Sequence, residues 1–86
     1  MDEKEKVTIT RAQNNLLNQI RGLHQDAFYM VVGAKQVDNG YILEGTSETF
    51  DHLIRDLYDE CELAPRSRLQ TIYSLIKRID PEAVEF

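Results

Sequence analysis

Phe28-Tyr29-Met30-Val31-Val32-Gly33-Ala34-Lys35-Gln36-Val37-Asp38-Asn39-Gly40-Tyr41-Ile42-Leu43-Glu44-Gly45-Thr46 is the stretch on which the fold turns. Its first five residues are aromatic, β-branched or flexible apolar, and Gly33 would cost a helix interior about 1 kcal/mol relative to Ala. A strand over Phe28 to Val37 accounts for both. Asp38-Asn39-Gly40 then reads as a three-residue hairpin loop, with Gly40 in the left-handed conformation, Val37 opposite Tyr41, and a return strand from Tyr41-Ile42-Leu43. A second pattern competes. Leu16, Ile20, Leu23, Ala27, Met30, Ala34 and Val37 recur at alternating steps of four and three, the heptad of a long first helix ended by Asn39 and Gly40. That alternative makes the chain all-α; the composition of the stretch favours the hairpin.

Working outward, the N-terminal side carries Thr10 and Gln13 at the spacing of a capping box. Ala12, Leu16, Leu17, Ile20 and Leu23 follow at helical intervals, with Asn14, Asn15, Asn18 and Arg21 on other faces and Gly22 near the end. On the C-terminal side, Gly45-Thr46-Ser47 breaks the strand pattern and supplies a cap. Phe50, Leu53, Ile54, Leu57, Tyr58 and Cys61 then define a second amphipathic helix. Pro65 opens a third, with Leu69, Ile72, Tyr73, Ile76 and Ile79 as its stripe and Asp80-Pro81 as its stop. Leu63 and Ala64 make so short a link that the two helices must be antiparallel neighbours. The expected architecture is therefore α+β: one helix, a β-hairpin, then two antiparallel helices in one domain of 86 residues, with residues 1–6 and 82–86 as flexible ends. Two strands make a marginal sheet, so dimerisation is expected to complete it.

Hydrophobic residues make up 42% of the chain and charged residues 29%, a globular composition. A net charge of -5 opposes nonspecific binding to nucleic acid or to anionic membranes. Met1-Asp2-Glu3-Lys4-Glu5-Lys6 lacks the apolar core of a signal peptide, no apolar run is long enough to span a bilayer, and the lone Cys61 suits a reducing compartment. A cytoplasmic location is expected. The charge is segregated by element. Thr46 to Ala64 carries Glu48, Asp51, Asp56, Asp59, Glu60 and Glu62 against Arg55, a balance of -5, while Pro65 to Ile79 carries Arg66, Arg68, Lys77 and Arg78 and no acid, a balance of +4.

Glu48, His52 and Asp56 lie four apart on the second helix and point the same way. Nearly opposite the apolar stripe, they read as a solvated face with Arg55 and Asp59, not as metal ligands. Cys61 shares the stripe with Leu57 and Tyr58 and reads as a buried small hydrophobe; Tyr58 and Tyr73 read as core. His24 falls at a junction with no nucleophile at a recognisable spacing, and no phosphate loop, cysteine pair or metalloprotease pattern occurs. No enzyme, metal or cofactor is expected. The function expected is a small protein–protein interaction or regulatory module that self-associates and docks on a basic protein partner. Its contact residues would be Glu48, His52, Asp56 and Asp59, with Tyr29 and Tyr41 as aromatic anchors. The alternative is a helix-turn-helix regulator reading nucleic acid with Arg66, Gln70, Thr71, Ser74 and Arg78 of the basic third helix.

Overall fold

The computed structural model describes residues 4–81, and the two outermost expected ends, residues 1–3 and 82–86, lie outside them. In chain order the elements are β1 (Lys4–Ile9), α1 (Arg11–Gln19), α2 (Gln25–Val32), β2 (Lys35–Val37), β3 (Gly40–Thr46), α3 (Ser47–Leu63) and α4 (Arg66–Ile79). The class is mixed α+β, with an antiparallel sheet in the order β1-β3-β2. No helix among the described residues is long and apolar enough to cross a membrane.

The strand expected over Phe28 to Val37 is a helix for its first half. Ala27, Met30 and Val31 are the buried residues of α2, a spacing of three and four that only a helix produces. Tertiary burial on that face overrides the β preference of Phe28, Tyr29 and Val32, which point outward. Gly33 caps the C-terminus of α2, and only Lys35–Val37 pair as a strand. The long-helix alternative fails as well, because α1 ends at Gln19 and an extended connection precedes α2.

The hairpin exists in a different register. Val37 pairs with Gly40, Gln36 with Tyr41 and Lys35 with Ile42, so the turn is the two residues Asp38 and Asn39. Gly40 has φ +147°, a region open only to glycine, and lies against the Ile9 backbone where β1 passes.

The partner that completes this hairpin comes from the same chain. Lys4–Ile9, part of which was expected to be a flexible end, pairs antiparallel with β3, placing Val7 opposite Leu43 and Ile9 opposite Tyr41. Val7 and Ile9 face inward on alternate positions while Lys6 and Thr8 face solvent, the period of a half-buried strand. A second copy is not needed to cover this side of β3.

The remaining helices form as their sequences dictate. Thr10 and Gln13 close a reciprocal capping box on α1, with Gln13 N donating to Thr10 Oγ1 at 3.1 Å and Thr10 N to Gln13 Oε1 at 2.9 Å. Thr46 caps α3 by accepting from the Thr49 amide. The core joins Ile9 and Leu43 of the sheet to Leu17 of α1, Leu53 and Leu57 of α3, and Ile72, Leu75 and Ile76 of α4. Cys61 and Tyr73 are half-buried and Tyr58 is 37% exposed, so these three are peripheral to that core. Helix α2 lies against α3 and β3, with the Met30 thioether where a Cβ on Gly45 would fall.

Candidate interaction surface

Helix α2, which the sequence reading took for a strand, carries a group of exposed apolar side chains. Phe28, Tyr29 and Val32 are 49%, 62% and 61% exposed on a helix of eight residues. Phe28 and Tyr29 meet edge to face, with ring centroids 5.8 Å apart. Tyr29 also borders a cleft of about 200 Å³ shared with Met30, Gly33, Lys35, Ile42 and Glu44.

Two Asp–His pairs hold α2 in place. At its N-terminus, the His24 backbone N–H donates to Asp56 Oδ2 at 2.8 Å and its Nδ1 to Asp56 Oδ1 at 2.7 Å. A carboxylate only accepts, so Nδ1 carries the proton in this pair. One turn further on, His52 Nδ1 donates to Asp26 Oδ2 at 2.8 Å, and Thr49 Oγ1 donates to the same oxygen at 3.2 Å. The two imidazoles stack with centroids 4.7 Å apart and planes 14° from parallel. Asp56 and His52 belong to α3, Asp26 and His24 to α2 and its cap, so the cluster is a double clasp between the two helices.

Asp56 is therefore not part of a solvated face. It is 5% exposed, because the connection from α1 to α2 folds across α3 and seats the His24 amide on its carboxylate. Asp56→Ala leaves the His24 amide and imidazole without their shared acceptor, an expected cost of about 1 to 2 kcal/mol, whereas Glu48→Gln, on the exposed part of α3, should stay within about 0.5 kcal/mol. Urea denaturation of both variants checks this contrast.

The Asp26 carboxyl is held below its ordinary value of 3.8, chiefly by the hydrogen bond from His52, with burial acting in the opposite sense. A carboxyl depressed by folding contributes stability above its unfolded pKa and loses it as pH falls through its folded value. Thermal unfolding of Asp26→Asn should accordingly lose less stability than wild type between about pH 4 and pH 2; identical acid limbs would show that the His52 bond does not persist. Burial, and then the charge of Glu60, push the Cys61 thiol up, away from the reactive thiolate.

The other expected site residues are dispersed. Glu48 and Asp59 are exposed but eleven residues apart, roughly 16 Å along α3. Asp59 lies beside Arg21 and Gly22 of the α1–α2 connection, far from Glu48. Tyr29 is exposed, while Tyr41 is half-buried against the core. On α4, Arg66 and Gln70 are exposed and Thr71 is half-buried. Ser74 accepts from Gln13 Nε2 at 3.1 Å and donates to the Thr71 carbonyl, and Arg78 Nε donates to the Thr8 carbonyl at 2.8 Å. Ser74 and Arg78 thus tie α4 to α1 and β1. Phe28, Val32 and Asp26 were not singled out from the sequence; a helical reading of residues 25–32 was the signal that would have found them. Among the described residues, no group of three or more His, Cys, Asp and Glu is placed to hold a metal ion.

Comparison with known protein families, curated proteins and solved structures finds no match to this chain.

Proposed function

We propose that the protein is a small non-catalytic protein–protein interaction module whose contact surface is the outer face of α2, flanked by the acidic surface of α3. The observation that carries this reading is the exposure of Phe28, Tyr29 and Val32 together. Aromatic residues grouped on a rigid, clasped helix lose little entropy when they dock, and such anchors dominate binding energy. The cleft beside Tyr29 has room for one partner side chain. Glu48 and Asp51, exposed near the start of α3, supply negative charge on the helix packed against α2, which favours a partner with a basic rim, while Lys6, Lys35 and Glu44 border the cleft itself.

Self-association belongs to the same reading, because β2 follows α2 directly and no described strand pairs with its outer edge. Sedimentation equilibrium should give a mass that rises with concentration, and a monomer mass throughout the range would remove this part of the proposal. For the partner itself, immobilised wild-type protein and a Phe28→Ser/Tyr29→Ser variant would be compared in capture from cell extract. A basic protein retained by the wild type and lost from the variant supports the reading. Retention by that variant, with loss from an Arg66→Glu/Arg78→Glu variant, would transfer the function to α4.

A further inference from the structure

On the far side of the molecule, the second half of α4 crosses the end of β1 and the start of α1 and leaves a cleft of about 430 Å³, within the size range of small-molecule sites. Its polar lining joins two cations, Lys77 and Arg78, to groups that donate as well as accept: the hydroxyls of Thr8, Thr10 and Ser74 and the side-chain amides of Gln13 and Asn39. In a chain of net charge -5, no described residue that lines the cleft is an acid. The site is also built in advance. The Gln13–Ser74 bond ties α1 to α4, and the bond from Arg78 Nε to the Thr8 carbonyl holds at the cleft a guanidinium whose other donors sit on its two terminal nitrogens. Thr10 Oγ1 accepts the Gln13 amide in the capping box, so its own hydrogen can be donated outward.

We infer that this cleft binds a phosphate monoester carrying an apolar body. Two adjacent cations match the charge of a phosphate dianion, and several converging donors match its three terminal oxygens better than the two of a carboxylate. The start of α1, with no acidic residue in its first turn, adds the favourable end of a helix dipole. Pro81 supplies an apolar wall for the esterified group. Helix-dipole compensation alone accounts for Lys77 and Arg78 lying in the last turn of α4, but it does not account for the tether on Thr8 or for the donors gathered opposite.

The test is titration of the full chain, followed by amide chemical shifts, with phenyl phosphate and with inorganic phosphate as probes. Phenyl phosphate should shift the amides of residues 8–13, 39 and 74–78 and bind more tightly than inorganic phosphate. Lys77→Gln, at an exposed position, should weaken phenyl phosphate about tenfold, as should Arg78→Gln. Arg66→Gln removes the same charge from the other end of α4 and should leave affinity unchanged. The inference is overturned if phenyl phosphate produces no localised shifts, if it binds no better than inorganic phosphate, or if Arg66→Gln weakens binding as much as Lys77→Gln.

Discussion

Gly40→Ala is expected to destabilise the protein by about 3 kcal/mol or more, among the largest effects a single methyl group can have. Two causes act together. The φ of +147° is strained for any residue with a Cβ, and the added carbon would overlap the Ile9 carbonyl oxygen. That oxygen belongs to backbone paired with Tyr41, so relief requires β1 to move off β3 and lose part of the ladder that closes the sheet. Gly22→Ala is the control. A Cβ there meets nothing within 4 Å, and its φ is not positive, so the substitution should be neutral or slightly stabilising. Urea midpoints for the two variants should separate widely. Equal midpoints would mean that β1 does not pass where Gly40 leaves room for it.

Truncation of the helical core should be of comparable size. Leu57 and Ile76 are both fully buried, on the facing stripes of α3 and α4. Leu57→Ala and Ile76→Ala should each cost roughly 2 to 5 kcal/mol, from lost burial and from the cavity left behind. For a domain of this size that is a large share of the total stability. Unchanged denaturant midpoints in both variants would contradict the packing of these helices.

The elements legible in the sequence were those whose own residues carry the whole signal. The Thr10/Gln13 box starts α1, Thr46 caps α3, and the stripes through Leu57 and Ile76 define the two long helices without reference to any neighbour. What was misread depended on partners distant in the chain. Phe28, Tyr29 and Val32 look like strand residues because they are apolar, yet they are the exposed side of a helix whose buried side is Ala27, Met30 and Val31. Lys4–Ile9 looks like a charged end, yet its inward Val7 and Ile9 are held because β3 offers Leu43 and Tyr41 opposite them. Asp56 projects away from the apolar stripe of α3, as its spacing implies; the α1–α2 connection then folds over that face and buries it. Glu48, His52, Asp56 and Asp59 were read together as one contact face, whereas Asp56 and His52 serve the clasp and leave Glu48 and Asp59 far apart.

The same clasp supports the contact role proposed for α2. An eight-residue helix is too short to be stable alone, so its exposed aromatic face is fixed in direction by Asp56, by the His52–Asp26 bond and by the three residues it buries. Rigid presentation of apolar groups, with charge nearby for steering, gives a partner both an anchor and an approach direction.

The most direct test of that role is the association kinetics of the captured partner with four proteins at two salt concentrations: wild type, Phe28→Ser/Tyr29→Ser, Glu48→Lys and Arg66→Glu/Arg78→Glu. The account predicts faster dissociation for the α2 variant, slower association for Glu48→Lys with a wild-type rate that falls as salt rises, and near wild-type behaviour for the α4 variant. Loss of binding confined to the Arg66→Glu/Arg78→Glu variant would contradict it.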